Sequence, residues 1–145
     1  MIAWRISRAP FADLSGTGAR LYGGRWNSPG RALIYAAETA ALAVLEVRCY
    51  LDLTPDLLPD DYVLTGIEIG AAAIETVDGL PEAPQKVGDA WLAAARTPAL
   101  RVPSFIVPES FNLLLNPAHP AAGDLKVASQ RPFRFDARLW QAGGF

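Results

Sequence analysis

Cysteine and histidine are almost missing from this sequence, which has only Cys49 and His119 in 145 residues. A single cysteine allows no internal disulfide, and without a Cys/His cluster no zinc site is indicated. Lysine is nearly as scarce: Lys86 and Lys126 are the only two, so arginine supplies most of the positive charge. The formal net charge is −2, which argues against a broad electrostatic footprint for nucleic acid. A ribonuclease would want a basic face and a His or Lys acid–base pair, and this composition argues against both. No apolar run approaches eighteen residues, and the chain does not open on a charged, then apolar, cleavable leader. The expectation is a cytoplasmic protein with no membrane contact and no bound metal.

What is present is an ordinary globular mixture, 51% hydrophobic and 19% charged, which excludes a disordered chain. The length fits one domain, residues 1–145, with one real core. Twelve prolines and twelve glycines imply many turns and short elements, so a mixed α and β fold is expected rather than a helical bundle.

Ala3 to Ser7 alternates and predicts a first strand. The stretch from Pro10 to Gly30 lacks periodicity and reads as a long loop, a length that in compact domains usually signals function. Ala32 to Ala36 predicts a short buried strand, and Glu38-Thr39 opens a helix over Ala40 to Leu51. Its apolar face is read as Ala41, Leu42, Leu45 and Cys49, with Cys49 a core filler and Glu46 beside the face. Tyr62 to Ile69 predicts a second clear strand, with Ala73 to Val77 extending the sheet. Val87, Ala90, Trp91 and Ala94 make Gln85 to Arg96 an amphipathic helix anchored by Trp91. Leu100 to Pro108 reads as a strand interrupted by Pro103, hence at an edge or bulged. Phe111 to Pro120 ends in two X-Pro pairs and predicts a turn-rich connection, with Asn116 and His119 bonding the local backbone. Lys126 to Ser129 and Pro132 to Asp136 predict a closing strand pair.

The most informative segment is Gly23-Gly24-Arg25-Trp26-Asn27-Ser28, followed by Tyr35 and Glu46. Arg25 stays protonated, and its planar fork suits phosphate or carboxylate. The glycines allow positive φ or let the backbone come close to a ligand. Glutamate among apolar neighbours needs a partner, because burying its charge costs several kcal/mol, and Arg25 is the obvious candidate. The same residues admit a plainer reading, a tight turn bearing a surface arginine and an ion pair that only ties the helix down. A carboxylate near a cleft is equally what a functional site looks like. The absence of GxGxxG indicates no Rossmann site.

GGRWN, Ile34-Tyr35, Ala43-Val44-Leu45-Glu46, Val102-Pro103-Ser104, Asn116-Pro117 and His119-Pro120 occur in an order and spacing that resembles the RES domain family, from Trp4 to about Phe135. The family is named for an arginine, a glutamate and a serine, which correspond here to Arg25, Glu46 and Ser104. The resemblance implies a bacterial toxin paired with an Xre-like helix-turn-helix antitoxin in a hetero-oligomer. It also implies an α+β fold similar to diphtheria-toxin-like ADP-ribosyltransferases, with mostly antiparallel sheets and a few flanking helices. The implied activity is cleavage of NAD, as substrate, at the nicotinamide–ribose bond, with ADP-ribose passing to a protein, water or phosphate. That cleavage has an oxocarbenium-like transition state, which an ionised Glu46 would stabilise. Tyr35 would stack on nicotinamide, and Arg25 would hold the diphosphate or contact the ribose. Arg5, Asn27 and Ser104 would complete the binding site, and Trp26 would pack under the loop. An antitoxin segment is expected to enter the cleft over Arg25 and Ser104, using the Pro103 edge. The alternative is a noncatalytic nucleotide-binding or interaction module in which Arg25 and Glu46 form a buried ion pair.

Overall fold

Alternation in Ile2–Arg8 gives strand β1 as expected, with Ala3 and Ile6 buried. The computed structural model of the protein describes residues 1–70 and 72–141, so the last four residues of the expected domain lie outside the described residues. After β1 come α1 (Thr17–Tyr22), β2 (Ile34–Ala37), α2 (Ala40–Arg48), β3 (Tyr62–Glu68) and β4 (Ile74–Thr76). Then follow α3 (Pro84–Ala94), β5 (Ala99–Pro103), β6 (Phe111–Leu115) and β7 (Lys126–Pro132). The strands form one seven-stranded sheet in the order β4-β5-β6-β2-β1-β3-β7. Among the described residues only the β4–β5 pair is parallel. This is the expected mixed fold with a mainly antiparallel sheet.

Several expectations change. The Pro10 to Gly30 segment is not structureless, since it holds a 3-10 turn at Ala9–Phe11 and then α1. Phe111–Leu115 is not a turn-rich connection but a strand between β5 and β2, with Leu113, Leu114 and Leu115 fully buried. A continuous apolar run of this length is what a strand covered on both faces requires. Its two X-Pro pairs lie just beyond it. The strand before Ser104 is interior, not an edge: β5 has β4 on one side and β6 on the other. Pro103 is tolerated because β4 reaches only Arg101, so no ladder hydrogen bond is needed on that side. Pro132 to Asp136 adds no second closing strand; β7 runs through Pro132 along β3, and Phe133 and Phe135 instead stack edge-on with each other.

The helices turn differently from the sequence reading. Thr39 caps α2, its hydroxyl accepting the Leu42 amide at 3.1 Å. The buried residues of α2 are Leu42 and Ala43, while Ala41 and Cys49 are exposed. Glu46 therefore lies one turn beyond the buried pair, on the inward face. On α3 the buried residues are Gly88, Trp91 and Leu92, and Ala90 and Ala94 face solvent. Trp91 is the anchor expected of it, with its indole N–H donating to Thr97 Oγ1 at 3.0 Å. A glycine carries no apolar signal, so periodicity alone turned the predicted face away from Gly88.

The helices α2 and α3 cover one face of the sheet. Leu42 and Ala43 pack with Ile6, Ala37 and Leu64, and Trp91 and Leu92 pack with Trp26, Leu33, Leu100 and Leu114. The opposite face buries Ala3, Ile34, Ile67, Leu113 and Leu115. One discontinuity positions the site. Whereas β1 pairs with β3 along its whole length, it meets β2 only at Trp4 and Ala37. The sheet opens there, and the opening is the cleft.

Candidate functional site

The cleft encloses about 460 Å³, within the about 300–1,000 Å³ usual for small-molecule sites. Its walls come from β1 and β2 where they part, from α1 and the loop after it, from the inward face of α2, and from Phe105 and Asn112. Arg5, Arg25, Tyr35 and Glu46 all line it, so four of the six residues singled out in the sequence converge on one space.

Glu46 has no ion pair with Arg25. Its Oε1 accepts two hydrogen bonds, from Ser104 Oγ and Asn112 Nδ2, each at 2.7 Å. The Arg25 guanidinium lies instead over the Phe105 ring, 4.3 Å from its centre, and forms no salt bridge among the described residues. The partnership expected from burial cost is thus replaced by two neutral donors, which satisfy the carboxylate without cancelling its charge. No hydrogen bond engages Oε2 among the described residues, yet no buried side-chain oxygen goes unpartnered. That oxygen is therefore open.

Ser104 is fully buried and does not line the cleft. Its hydroxyl donates to Glu46 and accepts from the amides of Ile106 and Val107, both at 3.1 Å. One donor and two acceptor positions exhaust a serine, so Ser104 holds Glu46 and leaves nothing for a ligand. Asn27 is likewise fully buried. Its Nδ2 donates to the carbonyls of Ala19, Ser28 and Arg31, and its Oδ1 accepts the Tyr35 hydroxyl at 2.6 Å. Both residues shape the site from behind, where the sequence reading had them touching the dinucleotide.

Tyr35 ties strand β2 to the arginine loop. Besides donating to Asn27, its hydroxyl accepts the Trp26 amide at 3.0 Å. Burial pushes its pKa up to about 12, outweighing the opposing hydrogen bond from Trp26. The glycines serve this junction: Gly23 ends α1 at φ 70°, and a Cβ on Gly24 would stand 2.6 Å from the Tyr35 oxygen. The close approach expected towards a ligand is instead made by Gly24 to Tyr35. Trp26 is buried against Phe105, ring edge to face, as expected of a residue packed under the loop. Arg5 enters from β1 and donates to Ser7 Oγ at 3.3 Å and to the Phe11 carbonyl. Burial draws its pKa below the ordinary arginine value, partly offset by Asp13, but arginine stays charged at any physiological pH.

Sequence reasoning missed Asn112, Phe105, Tyr22 and Tyr50. The first holds Glu46, the second supports Arg25, and the two tyrosines are exposed while lining the cleft. A signal existed for Asn112, the polar residue at the head of an apolar strand, and for Tyr22, directly before the glycines. His119 and Asn116 do bond the local backbone, accepting the Ala121 and Ala118 amides. Among the described residues no group of His, Cys, Asp or Glu is arranged to hold a metal, and no helix is long and apolar enough to cross a membrane.

The fold and the cleft define a small mixed α/β domain that presents two arginines and one anchored carboxylate to a common space. Residues 2–136 match the RES domain model, and the chain belongs to the RES domain family. It is 41% identical to the Prs ADP-ribosylating toxin of Sphingobium sp. (strain YBL2), with 88% of this chain and 86% of that protein covered. It is 36% identical to Toxin Res of Pseudomonas putida (strain KT2440), over 97% of this chain and all of that protein. Among solved structures, a chain of the M. tuberculosis MbcT–MbcA toxin–antitoxin complex superposes with a TM-score of 0.77 at 23% identity, covering 92% of this chain and 84% of that one. At that identity the match bears on the fold.

Proposed function

We propose that this protein is the toxin of a bacterial type II toxin–antitoxin system, and that it binds NAD in the cleft and breaks the bond between ribose and nicotinamide. The observation that carries the reading is Glu46: a carboxylate fixed through Oε1 by Ser104 and Asn112, with Oε2 open, in a space shared with Arg5 and Arg25. The relatives named as toxins, one of them ADP-ribosylating, support it.

The chemistry follows from the charges. Arg25 and Arg5 hold the diphosphate, Arg25 with its fork available because the ring of Phe105 rather than a carboxylate supports it. The half-buried ring of Tyr35, which lines the cleft, stacks on nicotinamide. As the C1′–N bond lengthens, nicotinamide leaves neutral with the bonding electron pair, and positive charge develops on the ribose. The Glu46 carboxylate is already oriented by its two donors, so it stabilises that charge with little reorganisation. An acceptor then adds to C1′ and gives up a proton. A protein acceptor makes the enzyme a mono-ADP-ribosyltransferase; water or phosphate makes it an NAD-depleting enzyme. Either outcome arrests growth and calls for an inhibitor in the same cytoplasm, for which an Xre-like antitoxin covering the Arg25 side of the cleft is the proposed partner. The Ser104 hydroxyl is fully used within the fold, so the docking is proposed over Arg25 and the open side of β5 beyond Arg101 rather than on Ser104 itself.

The test is nicotinamide release from NAD, measured in water, with phosphate and with a bacterial lysate. Release in any arm supports the reading and its dependence on the arm names the acceptor. NAD bound without release in all three would leave a noncatalytic nucleotide-binding module, and the enzymatic reading would fail.

A further inference from the structure

The backbone on both sides of Arg25 is tied to a single strip of α3, which does not line the cleft. Gln85 Nε2 donates to the carbonyls of Gly24, at 3.4 Å, and Asn27, at 3.1 Å. Asp89 accepts twice from Ser28, its Oδ1 from the amide at 2.9 Å and its Oδ2 from the hydroxyl at 2.5 Å. Between them Gly88 meets the Trp26 carbonyl so closely that a Cβ there would stand 1.7 Å from its oxygen. Residues 85, 88 and 89 are related as i, i+3 and i+4 and so share one helix face. Gly88 is where α3 packs closely on Trp26, while Gln85 and Asp89 beside it hydrogen-bond the loop. The loop lies against it, pinned on its other side by the Trp26 amide on Tyr35 and by the Asn27 side chain.

We infer that α3 is a brace for the anion-binding arginine, with Asp89 its principal positioning residue: it fixes the Gly24–Ser28 backbone so that the Arg25 guanidinium stays over Phe105, facing the cleft. Asp89 does not line the cleft and acts only through the loop. The functional half of this inference rests on the proposed role of Arg25 in holding the NAD diphosphate; the structural half does not. Holding a free arginine in one place lowers the ordering cost of binding, because a long side chain that is already immobilised loses less freedom when the ligand arrives. That contribution is the same for bound substrate and transition state, so it belongs in KM rather than in kcat.

The experiment uses Asp89→Ala, with Ser28→Ala as a milder second variant should the first fold poorly. Hydrogen exchange across residues 24–28 reads the brace without substrate, and nicotinamide release reads its consequence. Faster exchange confined to the loop, a KM for NAD raised about tenfold and a kcat within about twofold of the wild type are expected, because a pair of hydrogen bonds to a charged acceptor is removed. The deciding step is a double-mutant cycle. If Asp89 works through Arg25, then Asp89→Ala adds little to the KM of Arg25→Ala, whereas an unrelated structural effect adds in full. Unchanged exchange in both variants, or additive losses in the cycle, overturns the inference. If the wild type releases no nicotinamide while the loop of Asp89→Ala still exchanges faster, the brace stands and the NAD reading is what has failed.

Discussion

Replacing Glu46 by glutamine removes one charge and almost nothing else. Both donors, Ser104 Oγ and Asn112 Nδ2, point at the same oxygen at 2.7 Å. A glutamine carbonyl can take that place, leaving its Nε2 toward the open side, so the shape of the site and both hydrogen bonds persist. What weakens is their charge assistance: a bond to a charged group stabilises by about 1.5–3 kcal/mol and a neutral one by about 0.5–1.5. Over the two bonds the stability loss is therefore about 2–3 kcal/mol. The catalytic loss is larger, because a preorganised group facing developing charge commonly accounts for about 10²–10³ in rate, or about 2.7–4 kcal/mol. Glu46→Gln should thus remain folded at 25 °C, bind NAD within a few-fold of the wild type, and release nicotinamide at least about a hundredfold more slowly. Circular dichroism, calorimetric titration with NAD and a nicotinamide assay on one preparation separate the three quantities. Wild-type turnover in a folded Glu46→Gln protein would refute the role given to the carboxylate. Loss of folding alone would show instead that the charge is structural.

Arg25→Lys keeps the charge but loses the fork and the flat stack on Phe105; NAD affinity by calorimetry should fall about tenfold with the melting temperature nearly unchanged, and an unchanged affinity would mark a surface arginine. Asn112→Ala and Ser104→Ala each free Glu46 from one of its two donors and should lower kcat with little change in KM, the reverse of the pattern expected for Asp89→Ala; a rise in KM alone would place these side chains on the substrate instead. Tyr35 titrates near 10 when unfolded and near 12 in the fold, so the native state holds its proton more tightly. Its contribution to stability is complete below about pH 10 and is lost as pH rises towards about 12, so wild-type urea midpoints should fall across that window relative to those of Tyr35→Phe. Parallel curves would show that burial does not raise this group.

The cleft can be read from sequence only in part, because its parts are of two kinds. Arg25, Tyr35 and Glu46 are unusual residues in unusual places, a fork after two glycines and a carboxylate in an apolar helix, and each declares itself one at a time. Asn112 and Asp89 are ordinary where they stand in the chain and gain meaning only from pairings of 66 and 61 residues' separation. Register decides the first. With Leu113 and Leu115 committed to one face of β6 and Leu114 to the other, Asn112 must share the face of Leu114, which is the face α2 covers. Alternation along a strand over Phe111–Leu115 puts Asn112 on that face, and the order of β6 beside β2, on which α2 packs, brings it to Glu46. The X-Pro pairs that follow drew the reading towards a turn and concealed it.

The same reasoning explains why the arginine and the glutamate were wrongly paired in advance. Burial cost demands a partner for a carboxylate but does not specify a charged one, and two neutral donors with good geometry satisfy the demand. For a site that must stabilise a cation in the transition state, the neutral solution is the useful one. An Arg25 bonded to Glu46 would cancel the very charge the ribose needs and would occupy the fork the diphosphate needs. The arrangement observed, with Arg25 supported by Phe105 and Glu46 by Ser104 and Asn112, keeps both charges unspent within one cleft. A buried ion pair would have left neither charge available to a ligand, and the separation of its two halves is what favours the proposed chemistry on NAD.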